Sequence, residues 1–427
     1  MIRLRAVATA SLCAGGLAAA APTAGADTTE LISVDAFGGF GNGSSFVQDI
    51  SADGRLVAFT SFASDLVPGD TNGSPNPNSG IDVFVRDRKA RRTERVNVSG
   101  SGAQADNSSL GADLSAGGRF VVFPSTATNL VPGDTNDRQD VFLRDRRSGV
   151  TERVSVSGTG AQADRDSGSG AVSADGRLVA FESTASNLVP GDVNSRSDVF
   201  VRDRRTGVTS SVSAGGNGDS LSPSISDDGA QVAFTSFASN LAAGDVNANA
   251  DVFVHDLRTG TTRQASVSSA GAPGDAASAD VSLGGDARLA VFSSVAANLV
   301  PGDTNRQQDV FLRDLRRGTT ERVSLSPAGA QADRVSQLPA ISSDGRFAVF
   351  DSFATNLLPG GPVVPDLFLR ELRTGALERV VPGVRVSGPA ALSDKAREVA
   401  FASLSPNLVP GDTNGASDAF VRDRRGR

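Results

Sequence analysis

A single phenylalanine recurs along the chain in one local context, as Phe59, Phe123, Phe181, Phe234, Phe292, Phe350 and Phe401, spaced 64, 58, 53, 58, 58 and 51 residues apart. Seven copies at this period mean a repeat architecture, in which each unit buries its apolar face only against its neighbours. The copy that begins at Ser173 reads SADGRLVAFESTASNLVPGDVNSRSDVFVRDRRTGVTSSVS. Its Asp175-Gly176 pair between two extended runs predicts a hairpin with a tight primed turn. The alternation of Arg177–Phe181 and the β-branched run Asp198–Arg202 predict a second and a third strand. Arg204–Gly207 then turns the chain into a fourth, 209–213. Four antiparallel strands per unit, repeated radially, define an all-β, seven-bladed β-propeller.

The two ends predict how the ring closes. The last copy stops after its third strand at Arg422, whereas Thr28–Val34 matches Thr319–Leu325 position by position. Residues 28–34 are therefore expected to supply the outer strand of the seventh blade, closed by the N-terminal strand, which removes an exposed sheet edge.

The pattern S-x-D-G-R-x-V-A-F, followed by D-V-F-V-R-D and a Gly-Thr turn, resembles the WD40-like repeat of TolB-type propellers over residues 28–427. The resemblance implies a seven-bladed ring. It departs in longer loops between the second and third strands and in the absence of a helical N-terminal domain.

Before the repeats, residues 1–26 carry Arg3 and Arg5, an Ala/Leu-rich stretch and a small-residue site at Ala24-Gly25-Ala26. This is the pattern of a secretory signal peptide, with 27–427 as the mature propeller. Leu12 is too bulky before Cys13 for a lipidation site. No later run is long enough to span a bilayer. The expected location is secreted or periplasmic, as a monomer. Cys13 is the only cysteine, so the mature chain forms no disulfide of its own. Loss of the two leader arginines leaves 39 basic against 48 acidic residues, a balance that argues against nucleic acid as partner.

Two loop motifs concentrate polar groups. Asn-Leu-Val-Pro-Gly-Asp-x-Asn, with a further Asp four residues on, supplies Asp134, Asn136 and Asp140; Asp192, Asn194 and Asp198; Asp303, Asn305 and Asp309; and Asp412, Asn414 and Asp418. Asp245, Asn247 and Asp251 repeat it without proline, the first copy is interrupted between Asn72 and Asp82, and the sixth keeps only Asp366. These oxygens fit calcium as hard ligands. They fit equally well as caps of turn amides. The second motif, Gly-Ala-Gln-Ala-Asp at 102–106, 160–164 and 329–333, emerges on the same face as the first. That face is expected to be acidic, and the opposite one rich in arginine.

Catalytic groups are sparse. His255 is the sole histidine, at a position held by arginine in the sister repeats, and no nucleophile accompanies it. With no Tyr or Trp, the sialidase nucleophile and the tryptophan-bearing quinoprotein motifs are both missing. Nor is there a Gly-x-Ser-x-Gly elbow. Asp49, Asp113 and Asp280 precede Ile50, Leu114 and Val281 on inner strands and are the channel candidates, with Ala171, Ser224, Ala340 and Ala391 in the other copies. The expectation is a non-enzymatic scaffold that binds a protein, peptide or glycan at the acidic loop face. The competing reading is a metal-dependent, lactonase-like hydrolase built on the channel carboxylates.

Overall fold

The computed structural model describes residues 27–72, 80–245, 247, 249–361 and 365–424; the expected leader, 1–26, lies outside the described residues. Seven four-stranded antiparallel sheets form the blades of a ring. Blade one consists of Ser45–Ile50, Leu56–Ser61, Asp82–Asp87 and Arg92–Arg95. The inner strands of blades two to six begin at Asp113, Ser167, Ser220, Ser278 and Ser336. Blade seven combines Ala391–Leu392, Glu398–Ser403 and Asp418–Asp423 with Thr28–Leu31 from the other end of the chain. The closing ladder runs from Thr28↔Asp423 to Leu31↔Phe420. It continues through the Ile32 amide, which donates to the Ala419 carbonyl at 2.8 Å.

The repeating phenylalanines explain why blades stack. In every blade the second- and third-strand rings, such as Phe181 and Phe200, stack with centroids 5.6–6.1 Å apart. Each pair then fills the gap to a neighbouring blade. Phe123 and Phe142 of blade two pack on Ala58, Val83 and Val85 of blade one, all fully buried. The flat rings and small aliphatics interdigitate, which a propeller needs because its blades converge toward the axis.

The Asp-Gly hairpins differ from the expected primed turn. In blade one the Ser51 amide donates to Leu56 and the Gly54 amide to Ser51, which leaves a four-residue loop. Only Gly54 takes positive φ (70°), whereas a primed turn of this type would require it at Asp53 too. Asp53 instead caps the loop, accepting from the Ser51 hydroxyl and the Arg55 amide. The aspartate thus selects a capped turn.

Candidate functional site

The first-to-second-strand turns meet around the axis and close one end of the channel. Their amides donate from blade to blade: Asp394 to Ala52, Ala52 to Ala116, Ala174 to Asp227, Asp227 to Gly285, and Gly285 to Ser343. The Ser343 hydroxyl reaches over Gly285 to donate to the Asp227 carboxylate. A methyl group at position 285 would overlap both atoms, so glycine there keeps this cross-blade bond open.

Above this floor lies a cavity of about 170 Å³ lined by Asp49, Asp113, Ser224, Asp227, Ser282 and Asp394, among others. Asp49 accepts from its neighbour's amide, Ile50, and from Leu114 of the next blade. Asp113 accepts from Val172 of the third blade at 2.7 Å, its one hydrogen bond among the described residues. Both carboxyls border the channel and belong to half-buried residues. Burial accordingly pushes Asp49 up to about 7, opposed by the two amides and assisted by the charge of Asp227. Burial, then the charge of Asp49, pushes Asp113 well above the usual carboxylate range.

Asp280 does not share this ring. The equivalent position, opposite Val291 as Asp49 is opposite Ala58, belongs to Ser282, whose hydroxyl accepts from Ile341. The inner strand of blade five carries a bulge between Ala279 and Ser282, with Asp280 at positive φ and its carboxylate accepting from Ser293. Blades one, three, four and six carry the same bulge, so it adds no residue to blade five. Asp280 simply stands two positions before the one that Asp49 holds in an inner strand of equal length, and the sequence-based alignment of the two is displaced by two residues.

A second cavity, of about 560 Å³, opens toward the loop face over blades one to five, lined in part by Gln48, Asp113, Gln139, Glu182, Ser222 and Ser224. Asp113 borders both cavities. On the same face a row of exposed apolar side chains runs across five adjacent blades as Phe237, Val295, Phe353, Leu404 and Phe62. Thr126 and Thr184 hold this position in blades two and three. Sequence reasoning missed the row because it treated the phenylalanines as core.

The loop motifs are built as turns with buried acids. In all five the asparagine side chain donates to the final aspartate and to a backbone carbonyl of the next loop, as Asn136 does to Asp140 and Ala163. Its carbonyl oxygen accepts the amide two residues on. The final aspartate also accepts a buried hydroxyl, from Ser155, Ser213, Ser266, Ser324 or Ser33. Where the fourth strand reads Thr-Glu-Arg, the arginine lies between the two aspartates. Arg153 is 3.4 Å from Asp134 and 3.3 Å from Asp140, and Arg322 is 2.9 Å from Asp303 and 3.5 Å from Asp309. Arg95 spans Asp70 and Asp82 likewise. At these loops a guanidinium thus lies between the two aspartates that offered either turn caps or calcium ligands in the sequence. Blades three, four and seven carry Ser211, Gln264 and Leu31 instead. The change from Arg to Ser, Gln or Leu was legible in the sequence, but its partner loop lies some twenty residues away.

Blade six holds a further acid pair. Asp351 and Asp366 are buried, and each has one carboxylate oxygen without a hydrogen-bond partner. Burial pushes each up to about 6, assisted at Asp351 by the charge of Asp366 and opposed at Asp366 by the Gly383 amide and Arg379. The folded state therefore holds protons that the unfolded chain has released, and stability falls as pH rises from about 4 to about 6. Asp351→Asn is expected to raise the melting temperature at pH 8, by on the order of 2 kcal/mol in stability, and to change it little at pH 4. Melts of both proteins across that range check the sign.

Neither a family model nor a curated protein matches this sequence. Among solved structures, the ring is similar to oligogalacturonate lyase in complex with manganese, at 12% identity over 94% of this chain and 96% of that one, with a TM-score of 0.54. It is similar to the β-propeller domain of the Trilobed protease from Pyrococcus furiosus, at 10% identity over 90% and 96%, with a TM-score of 0.54. TolB from Acinetobacter baumannii matches at 14% identity over 81% and 77%, with a TM-score of 0.42. The seven-bladed fold implied by the TolB-type repeat is the fold observed. The non-enzymatic scaffold expected from the sequence is corrected by the same comparison, because this architecture serves a lyase and forms part of a protease. Scarcity of histidine and nucleophiles was too narrow a test, since carboxyl groups alone can supply acid–base chemistry. Among the described residues no helix is long and apolar enough to cross a membrane, and no three His, Cys, Asp or Glu side chains are grouped to hold a metal ion.

Proposed function

We propose that this chain is an exported carbohydrate-active enzyme whose substrate enters the channel from the loop face. The observation that carries this reading is Asp113, a carboxyl that burial and the charge of Asp49 push well above the usual carboxylate range and that borders both the floor cavity and the open mouth. Such a group is suited to donate a proton to a leaving oxygen. Glu182 lines the same mouth and accepts from the Ser222 amide at 2.8 Å, which orients its side chain. In a hydrolysis the glycosidic C–O bond breaks and its oxygen takes the Asp113 proton. Water adds to the anomeric carbon and gives its proton to Glu182. Gln48 and Gln139 offer amide groups to hydroxyls, and the exposed rings of Phe237 and Phe353 offer apolar faces to sugar C–H bonds. The likeness to a lyase of sugar chains supports the substrate class. Asp106, Asp164, Asp275 and Asp333 on the surrounding loops disfavour a polyanionic chain, so a neutral or amino-sugar oligosaccharide fits better.

The test is release of new reducing ends from neutral and amino-sugar oligosaccharides. Turnover is expected from the wild type, with a loss of about 100-fold in kcat for Asp113→Asn at unchanged melting temperature. Turnover that is equal in the variant, or absent with every sugar, overturns the proposal.

A further inference from the structure

The fourth blade departs from its sisters in one charge. Asp245 and Asp251 correspond to the aspartates that Arg95, Arg153 and Arg322 bridge in blades one, two and five, but Gln264 stands at the arginine's position. Gln264 hydrogen-bonds Asp251 without supplying charge, and the charge of Asp245 raises the pKa of Asp251. Asp245 is only 7% exposed, and its Oδ1 has no hydrogen-bond partner. In the sister blades the equivalent aspartates point at the bridging guanidinium, 2.9–3.4 Å away. Asp245 is thus a buried carboxylate that accepts from the Asn247 amide but keeps one oxygen without a partner among the described residues, on a pocket that loses its cation when arginine becomes glutamine. Blades three and seven lack the arginine too, but their first aspartates, Asp192 and Asp412, are half-exposed and water can solvate them.

We infer that blade four binds a calcium ion between Asp245 and Asp251 in place of the missing guanidinium. Two carboxylates, the amide oxygen of Gln264 and water form a hard oxygen set, and a flexible, partly hydrated shell favours calcium over magnesium. So few charged ligands imply weak affinity, in the about 0.1–1 mM range of extracellular calcium modules. The ion would tie the loop between the second and third strands to the outer strand, as arginine does elsewhere.

Melting the full-length mature protein with calcium, magnesium or a chelator tests this. Calcium at about 10 mM is expected to raise the melting temperature by about 2 °C, reversed by chelator and not reproduced by magnesium. Gln264→Arg should restore the sister arrangement, melting higher without calcium and losing the calcium response. Asp245→Asn should lose the response as well, while Asp134→Asn, in an arginine-filled loop, should keep it. No calcium response in the wild type, or one that persists in Gln264→Arg, overturns the inference.

Discussion

A protein lacking residues 27–33 is expected to melt roughly 10 °C lower and to aggregate more readily than the intact mature chain. The segment contributes more than a strand. Ile32 is fully buried, and Leu31 packs on the cluster that contains Val349, Phe401 and Phe420. Burial of two such side chains contributes about 3–6 kcal/mol. The Ser33 hydroxyl donates to the buried Asp418 at 2.7 Å, and its oxygen accepts the Ala419 amide. Deletion therefore leaves a buried carboxylate short of a donor as well as an unpaired edge at Asp418–Asp423. A synthetic peptide covering residues 27–34 should restore part of the loss when added in excess. An unchanged melting temperature would show that the ring does not depend on this closure.

Arg322→Met is the second large effect, with an expected loss of about 3–5 kcal/mol. The arginine side chain is 4% exposed and its two partners, Asp303 and Asp309, are 4% and 0% exposed. Removing the guanidinium strands two carboxylates that burial has already pushed upward in pKa. Both would then take up protons more readily in the folded state, so the variant's deficit should shrink as pH falls toward 4 and be largest at neutral pH and above. Denaturant unfolding of the two proteins at pH 4 and 7.5 measures this difference. A deficit that is the same at both pH values would mean that lost packing of the arginine stem, and not charge, accounts for it. Blade seven carries an apolar residue, Leu31, at the arginine's position. It is tolerated there because Asp412 reaches water and Ser33 and Asn414 satisfy Asp418.

The first of these cases marks where sequence reading succeeds. The match of Thr28–Val34 to Thr319–Leu325 located the closing strand because both segments face the same demand. Each must pair with a D-x-F-x-R-D strand and fill the same gap between blades. The stacked rings, such as Phe181 and Phe200, were likewise legible, since seven repeats of one pattern average out local accidents. The channel carboxyls were legible only in part. Asp49 and Asp113 could be placed by counting along their strands, but Asp280 lies two residues before the equivalent position, which Ser282 holds, so it stands outside the ring. Asp227 went unnoticed because it holds the variable position of the S-x-D-G turn, and Glu182 because no sister repeat carries an acid at its position except Asp351.

What the sequence determined by itself is the ring: seven blades, their order, the aromatic pairs between them and the strand that closes the circle. Each of these follows from periodic apolar patterning, and a repeat states its packing rule as often as it recurs. Only the tertiary structure decided which charges meet. The same Asp-x-Asn loop is neutralised by Arg153 or Arg322 in some blades and faces Gln264 in another. The partner comes from a strand that folds back beside the loop, so local spacing cannot report it. Electrostatic matching is set by distance in space, and in this ring that is where the seven copies cease to be equivalent.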